Sequence, residues 1–505
     1  MTILNDKSSR PWFDIETLGI AAILFAVGIV SRIPFRSSVL YHWDSVNFAL
    51  ALDHFDVRLH QPHPPGTFII YIMLGRLANW LLHDPNASLV WISILASGLS
   101  AAFIFVLVQG WFGKRIGLIV AALMLSSPLI WFHGEVALSY MPEFFWVLAL
   151  ALSCSRAYKG SKKALFTSAF LLGLAGGIRP NTPVFMFPLW VFSVRKFPIR
   201  EIAISLIVMA FGVALWVVPM VIMSGGPAAY WEIIQGWRGS HMEESGNLGV
   251  MAIYVARLGA FTLYCLGIGV IPVIWAILRY WRDWKHLLVK DQRVQTLVLW
   301  IAPGLAYFVL IHIRQPGHTF TIMPAFIIVT GVAIAVISRN WADDARRVWI
   351  IMTILVVGCN SVFFLLGPPN LFGSSRSILS MPTWASIREY DMDVTQRLKA
   401  IREMFRPEET VVLAGSRNHR LPDFYLRDFQ LPSLSHYLGD DVDFIALPEH
   451  VHTLVLFDDS MLPQLSVDSH LRSLPLPGGR SVRYVTWDEG QRVTLSQTEL
   501  EIQDE

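Results

Sequence analysis

Residues 87–109 read ASLVWISILASGLSAAFIFVLVQ, an apolar run without a charged side chain. A bilayer core takes about 20 apolar helical residues to cross, so this run predicts a transmembrane helix. Similar or somewhat shorter runs recur along the chain, at 18–31, 116–133, 143–158, 164–178, 181–194, 201–223, 261–278, 294–313, 318–337 and 348–366. The predicted fold class is therefore an all-α polytopic membrane bundle of about eleven transmembrane helices, over residues 1–366.

The composition of the chain agrees with this interpretation. Of its 505 residues 54% are hydrophobic and only 15% are charged, whereas a soluble protein of this length carries about a quarter charged residues. The net charge of +2 is close to neutral and gives no indication of a nucleic-acid partner, and none is expected. Cys154, Cys265 and Cys359 all fall inside apolar runs, which argues against a disulfide framework.

Clusters of lysine and arginine indicate the orientation of the bundle, because these residues concentrate in cytoplasmic loops. The first helix is expected to stay uncleaved, since no small-residue cleavage site follows it. The basic clusters alternate strictly with cation-poor loops if 67–82, which contains Arg76 and Asn79, is an interfacial helix. The outer loop 33–86 and the chain after 367 then lie outside the cytoplasm, as in a multi-pass protein of a bacterial inner membrane. The clusters are Lys7 and Arg10, Lys114 and Arg115, Arg156 to Lys163, Arg195 to Arg200, Arg279 to Arg293, and Arg339 to Arg347.

The character of the sequence changes after residue 366. Short runs rich in β-branched and aromatic residues, at 410–414, 453–457 and 481–487, predict strands. Apolar residues recur at helical spacing over 394–405, which predicts a helix with one buried face. Residues 367–505 are therefore predicted to form a small soluble α/β domain.

The densest polar cluster lies in the first outer loop, where Asp44 follows the first membrane helix and His63 precedes Pro64-Pro65-Gly66. A second acidic set, Glu135 and Glu143, lies in the next outer loop. Carboxylates at membrane depth are costly and usually face a polar cavity. Because the topology puts both sets on one side, we expect Asp44 and Glu143 to converge on one outer cavity.

The order of these features resembles the GT-C superfamily of membrane glycosyltransferases. It is most similar to the branch of protein O-mannosyltransferases, lipid A aminoarabinose transferases and rhizobial galacturonosyltransferases, over about residues 15–340. The resemblance implies a sugar donor on a polyprenyl-phosphate carrier, used at the outer face. It implies that Asp44 is the catalytic base or orients the acceptor, that His63 lies near the carrier phosphate, and that Glu143 is the second-loop acid and thus a second catalytic residue.

Three more residues match positions of that family. Arg179 stands where relatives often carry lysine at a helix-pair turn, and Arg314 and His318 lie in the late turn before a proline-containing helix. The chain departs from the mannosyltransferases at Ser45, where they have a second acid, and Glu143 replaces the usual aspartate. No cofactor or metal is expected, because hard cations are usually held by several oxygen ligands and Asp44 stands alone.

Chemistry alone supports the same reaction. Transfer from a sugar phosphate needs a base for the acceptor hydroxyl and cations for the departing phosphate. Asp44 can supply the base, and a single inverting displacement is simplest when no second carboxylate is poised as a nucleophile. The predicted function is a polyprenyl-phosphate-dependent glycosyltransferase acting on a lipid, glycan or protein acceptor. The residues predicted to bind substrate or carrier phosphate are His63, Arg58, Arg179, Arg314, His318 and Glu135.

Other interpretations remain open at this stage. Asp44 can be only a helix cap, and Pro64-Pro65-Gly66 only a turn. Glu135 can solvate a loop, and Arg314 can be an interfacial anchor. The histidines of the outer loops match no metal-ligand spacing. Alternatives to the transferase are a membrane glycan polymerase or ligase, and a transporter, although the paired halves with interrupted helices of transporters are not evident.

Overall fold

The structure is a computed structural model, and it describes residues 12–242, 247–280, 290–339, 345–369, 381–414, 418, 420–429, 445–447, 450–458, 471–488, 491–495 and 500–504. The chain divides into two compact units. The first comprises Met1–Arg36 and Phe55–Ile387, and the second comprises Ser37–His54 and Arg388–Glu505. The domain boundary predicted between 366 and 367 stays a prediction.

The first unit is helical. Six of its helical segments are long and apolar enough to cross a membrane, and three apolar helices are shorter, among the residues described. The total of eleven spans stays a prediction. In chain order, with α2 left for the second unit, the helices are α1 Ile15–Val30, α3 Ile69–Leu82, α4 Pro85–Phe112, α5 Lys114–Ser126, α6 Pro128–His133, α7 Tyr140–Tyr158, α8 Lys162–Ala175, α9 Asn181–Val194, α10 Ile199–Met223, α11 Pro227–Met242, α12 Leu248–Leu266, α13 Val270–Tyr280, α14 Gln292–Leu310, α15 Met323–Arg339 and α16 Ala345–Leu366.

Local chemistry fixes several helix ends. The Asp84 carboxylate accepts a hydrogen bond from the amide of Ala87 and caps α4, with Pro85 in its first turn. The run 116–133 is broken between α5 and α6 because Pro128 disfavours helical geometry in the residue before it. The run 261–278 extends back to Leu248, and α11 occupies part of the expected loop 224–250.

Small residues let the helices of the first unit approach closely. A Cβ added at Gly28 on α1 would lie 2.6 Å from the Cα of Gly98 on α4. A Cβ at Gly173 on α8 would lie 2.2 Å from the carbonyl oxygen of Met209 on α10. Such contacts are typical of membrane helices, whose association depends on close packing rather than on the hydrophobic effect.

The second unit combines part of the first outer loop with the chain beyond residue 387. Its elements are α2 Trp43–Asp53, α17 Trp384–Met404 (whose first turn belongs to the first unit), α18 Leu421–Tyr425, and strands β1 Thr410–Leu413, β2 Ile445–Ala446, β3 Thr453–Leu456, β4 Arg472–Leu476, β5 Arg480–Thr486, β6 Gln491–Leu495 and β7 Leu500–Asp504. The three predicted strands and the predicted helix are present. The strands form a mixed sheet in the order β1-β3-β5-β4, with β1 parallel to β3, and an antiparallel sheet in the order β2-β6-β7.

Hydrogen bonds hold segment 37–54 inside the second unit. The hydroxyl of Ser37 donates to Oδ1 of Asp391 at 2.7 Å, and the Tyr425 hydroxyl accepts from the Leu40 amide at 2.9 Å. Nη1 of Arg420 donates to Oδ1 of Asn47 at 2.6 Å, with both residues buried. Burial raises the pKa of Asp391, although the hydrogen bond from Ser37 opposes this shift. Residues distant in sequence therefore build one packed unit around α2.

Candidate active site

Glu143 and Arg179 form a buried ion pair in the first unit. Glu143 lies in the first turn of α7 and is 2% exposed, and Arg179 lies in the break between α8 and α9. Nε of Arg179 is 3.1 Å from Oε2 of Glu143. The hydroxyl of Thr182 donates to the other carboxylate oxygen at 2.6 Å. The structure thus joins two predicted site residues, and it adds Thr182, which sequence analysis missed.

Aromatic rings hold the guanidinium of Arg179 in place. Its central carbon lies 4.3 Å from the centre of the Tyr140 ring and 5.8 Å from that of Phe68, distances typical of cation–π contacts. Nη1 donates to the hydroxyl of Ser139 at 3.2 Å. The Arg179 side chain stays 14% exposed. A partly accessible guanidinium with fixed geometry is suited to an anionic ligand, because its donors form a planar fork.

Tyr140 connects this ion pair to the late turn of the chain. Its hydroxyl donates to Oε1 of Gln315 at 2.7 Å, and its ring centre is 6.2 Å from that of His318. The turn, a 3₁₀ helix over Pro316–Thr321, passes close to the tyrosine ring. A Cβ at Gly317 would lie 2.4 Å from a carbon of the Tyr140 ring, so glycine is required for this approach. The ring of His312 lies near that of His318, with centres 5.5 Å apart and the planes tilted by 32°.

His63 reaches the same group of aromatic residues from the first outer loop. Its ring centre lies 4.9 Å from that of Phe68, the ring that also faces Arg179. The amide of Gly66 donates to the carbonyl of His63 at 3.0 Å, which closes a turn. Gly66 has a φ of +76° and a Cβ there would lie 2.3 Å from Val57, so this position favours glycine. The segment is therefore a turn, and it places His63 beside Phe68.

The remaining predicted cations have different surroundings. Arg58 forms a two-pronged ion pair with Asp56, at 2.6 and 3.0 Å, and its side chain is 57% exposed. Arg314 is exposed, and its backbone amide lies 3.5 Å from Nδ1 of His318. The structure thus brings Glu143, Arg179 and His318 together around Tyr140 and links His63 to Arg179 through Phe68.

Glu135 is fully buried, so the alternative that it solvates a loop is wrong. Burial raises its pKa well above the ordinary value for glutamate, although the charge of Arg32 opposes the shift. The guanidinium of Arg32 is also buried, lies 4.5 Å over the ring of Trp131 and donates to the carbonyl of Leu125 at 2.8 Å. An arginine from the end of α1 thus supplies the counter-charge for Glu135, and no local signal in the sequence predicts this pairing.

Asp44 lies in the second unit, in the first turn of α2, and is 7% exposed. The helix is capped by His42, whose Nδ1 accepts from the amide of Asp44 at 3.1 Å, so the interpretation of Asp44 as the cap is wrong. A carboxylate in the first turn is favoured by the helix dipole. Nδ1 of His42 also lies 3.5 Å from Oδ2 of Asp44. The expected convergence of Asp44 with Glu143 stays a prediction.

The His, Cys, Asp and Glu side chains of the described residues do not form a metal site. Over this part of the chain, no group of three or more His, Cys, Asp or Glu side chains is arranged to hold an ion. His133, one of the outer-loop histidines, is buried and its Nδ1 lies 2.8 Å from the carbonyl oxygen of Leu129. The independence from metal stays a prediction.

Comparison with known proteins identifies the fold. No family model matches the sequence, and no curated protein matches it. The structure of ArnT from Cupriavidus metallidurans bound to undecaprenyl phosphate is similar, with a TM-score of 0.55 and 13% identity, covering 93% of this chain and 97% of that chain. The apo state of the same protein gives a TM-score of 0.52. The oligosaccharyltransferase of Archaeoglobus fulgidus, in complex with Zn and sulfate, gives a TM-score of 0.46 at 14% identity, covering 87% of this chain and 67% of that chain. The similarity to ArnT confirms the GT-C fold.

Proposed function

We propose that this chain is a membrane glycosyltransferase that moves a sugar from a polyprenyl-phosphate carrier to a lipid, glycan or protein acceptor at the outer face of a bacterial inner membrane. One observation carries the proposal: the fold matches, over 93% of the chain, that of ArnT bound to undecaprenyl phosphate. Fold alone does not fix function, so the proposal also depends on the chemistry of the site.

The cations of the first unit support the recognition of a phosphate. Arg179 presents a partly accessible guanidinium, and the ring centre of His318 lies 6.2 Å from that of Tyr140, which Arg179 contacts. His63 lies beside Phe68, whose ring also faces Arg179. During transfer, negative charge develops on the departing phosphate, and donors fixed in advance stabilise that charge without reorganising. Arg179 is the strongest candidate among the three because it remains charged at every physiological pH.

Asp44 is the proposed base. Its carboxylate takes the proton of the acceptor hydroxyl while the acceptor oxygen attacks the anomeric carbon of the sugar. The bond between that carbon and the phosphate oxygen breaks, and the polyprenyl phosphate leaves with the electron pair. The product carries the sugar with inverted configuration, since one displacement occurs at the anomeric carbon. A phosphate is a good leaving group, so the reaction needs no general acid.

Glu143 has a positioning role in this scheme. Its carboxylate is occupied by Arg179 and Thr182, so it fixes the guanidinium rather than abstracting a proton. This assignment differs from the direct catalytic role that the family resemblance implies for the second-loop acid. It predicts that a change at Glu143 acts through the affinity for the carrier phosphate.

Binding of undecaprenyl phosphate to the purified full-length protein tests the recognition step. Native mass spectrometry in detergent gives the apparent Kd of the wild-type protein and of two variants. We expect Arg179→Gln to weaken binding by at least about tenfold, because a hydrogen bond to a charged group contributes about 1.5–3 kcal/mol. Arg36→Gln is the matched control, since Arg36 is exposed and donates to the carbonyl of Ile33. Equal affinity of the wild-type protein and Arg179→Gln, or no binding by the wild-type protein, would overturn the proposal.

A further inference from the structure

A cleft lies at the end of the bundle that carries the basic loops. It has a volume of about 360 Å³ and is lined by Tyr158, Lys159, Gly160, Lys196, Phe197 and Gln292. These residues belong to the C-terminal ends of α7 and α9 and to the start of α14. By the distribution of lysine and arginine, this end of the bundle is expected to face the cytoplasm. The proposed transfer reaction does not use these residues.

Several cations at this end of the bundle pair with carboxylates. Lys114 pairs with Glu16, and Nζ of Lys162 lies 2.5 Å from Oε1 of Glu201. Arg293 lies beside the cleft and pairs with Asp291 at 2.8 Å.

Three cations differ from these: Lys159 and Lys196 line the cleft, and Arg195 contacts Tyr158 at its edge. Within the part of the chain that the structure describes, no carboxylate lies within 4.0 Å of the charged groups of Lys159, Arg195 or Lys196. Lys159 has a lowered pKa because of burial and the nearby charge of Arg293. The cleft therefore carries excess positive charge, which a bound anion would neutralise.

Aromatic rings contact all three of these cations, and Nζ of Lys159 lies 4.6 Å from the centre of the Trp12 ring. The guanidinium carbon of Arg195 lies 3.9 Å from the centre of the Phe192 ring, and its Nη2 donates to the hydroxyl of Tyr158 at 3.0 Å. Nζ of Lys196 lies 4.0 Å from the centre of the Tyr158 ring. The rings of Tyr158 and Phe192 are themselves stacked, with centres 5.2 Å apart. Cation–π contacts of this kind hold the side chains in place and leave their charge available to an anion.

The surroundings of the cleft favour a lipid over a soluble anion. Val184, Phe187 and Val191 follow one another along α9 at helical spacing, and each is at least 44% exposed. This stripe of exposed side chains runs along α9 away from the cleft. The acyl chains of a lipid whose headgroup occupies the cleft would contact this stripe. Basic pockets between membrane helices on the cytoplasmic side are known to bind anionic headgroups.

We infer that this cleft binds the phosphodiester headgroup of an anionic phospholipid of the cytoplasmic leaflet, with Lys159, Arg195 and Lys196 as the anion-binding residues. Arg195 and Lys196 are held on the Tyr158–Phe192 stack, and the acyl chains lie along the exposed stripe of α9. The inference does not rest on the proposed transfer reaction, because the cleft is built from residues outside the candidate active site.

Native mass spectrometry of the full-length protein with dioleoylphosphatidylglycerol tests the inference, with dioleoylphosphatidylcholine as the neutral lipid. The double variant Arg195→Gln/Lys196→Gln removes two exposed cations and is expected to fold normally. The matched double variant Lys162→Gln/Lys163→Gln removes two exposed cations from the start of α8 instead. We expect the apparent Kd for phosphatidylglycerol to rise about thirtyfold in the first variant and to stay unchanged in the second.

Three results would overturn the inference. They are equal phosphatidylglycerol affinity in all three proteins, equal affinity of the wild-type protein for the two lipids, and displacement of the bound lipid by millimolar glycerol 3-phosphate. The last result would indicate a site for a soluble phosphate ester. If the double variant is poorly folded, the single variant Lys196→Gln replaces it, with Lys163→Gln as its control. The single variant is expected to lose about fivefold in affinity.

Discussion

Nε of Arg179 lies 3.1 Å from Oε2 of Glu143, and this ion pair joins the break between α8 and α9 to the first turn of α7. The carboxylate is almost fully buried, and Thr182 occupies its second oxygen. Within the first unit the pair, together with the aromatic contacts of Arg179, fixes a guanidinium at the candidate carrier-phosphate site. The strength of the ion pair and its effect on ligand binding can therefore be measured on the same variants.

The first prediction concerns the coupling between these two residues. Glu143→Gln should lower the free energy of unfolding by about 3–5 kcal/mol, because it leaves the charge of Arg179 in a site of low polarity. The double variant Glu143→Gln/Arg179→Gln should lose less than the sum of the single variants, with a coupling energy of about 0.5–3 kcal/mol. Denaturant unfolding in detergent micelles measures these values.

The pair of Lys162 and Glu201 is the control for this cycle. Its lysine side chain is 70% exposed, so its coupling energy should stay below about 1 kcal/mol. Additive losses at Glu143 and Arg179 would show that the two residues are not coupled and would remove the positioning role proposed for Glu143.

The second prediction concerns the close approach of Gly317 to Tyr140. Gly317→Ala places a methyl group about 2.4 Å from the tyrosine ring, so the ring or the turn must move. We expect a loss of about 1–3 kcal/mol in stability, as for overpacked cores, and weaker binding of undecaprenyl phosphate because His318 shifts with the turn. Gly259→Ala is the control, since a Cβ there meets nothing within 4 Å. Similar stability and affinity in both variants would contradict this account of the turn.

Most of the apolar helices could be predicted from the sequence because the signal for each is local, whereas α2 and α11 lie in segments predicted as loops. Gly173 and Gly177 form a small-xxx-small pair, which is typical of close helix packing, and Gly173 approaches the backbone of α10. The sequence did not predict which segments of the chain build the second unit. Ser37 and Asp391 are separated by 354 positions and meet through an ordinary hydrogen bond, which leaves no pattern in the sequence.

The candidate site was predictable only in part, for a similar reason. The order of polar residues along the chain, and the side of the membrane predicted for each, indicated that Glu143, Arg179 and His318 belong to one site. This pattern did not identify Tyr140 as the ring between them, because a tyrosine at a membrane helix end usually needs no functional explanation. Nor did it identify Arg32 as the counter-charge of Glu135, since the two come from separate helices and share no motif.

The third prediction concerns topology. In a variant without the native cysteines, a cysteine at His54 and one at Ser473 should both react with an impermeant maleimide in intact cells, because the alternation of basic loops places both outside the cytoplasm. His54 and Ser473 are exposed, so they are accessible to the reagent. A cysteine at Lys163 should react only after the cells are permeabilised. Labelling of one outer position without the other in intact cells would contradict the predicted topology.

The fourth prediction is that transfer does not require a divalent metal. Asp44 is followed by Ser45 rather than by a second acid, whereas a hard cation is usually held by several oxygen ligands. Activity should therefore be unchanged after incubation with EDTA. A loss of activity with EDTA that manganese or magnesium reverses would show that the reaction needs a metal.

The release of undecaprenyl phosphate by the purified protein tests the central claim most directly. The donors are a panel of undecaprenyl-phosphate hexoses and pentoses, with a membrane extract as the source of acceptor, and mass spectrometry measures the carrier released.

The wild-type protein should consume at least one donor. Asp44→Asn should be slower by about 10²–10⁴ while still binding undecaprenyl phosphate, because it removes the base but not the cations. Asp53→Asn, at the other end of α2 where Asp53 pairs with Arg427 near the surface, should keep the wild-type rate. A wild-type protein that consumes no donor, or an Asp44→Asn variant with the wild-type rate, would contradict the account.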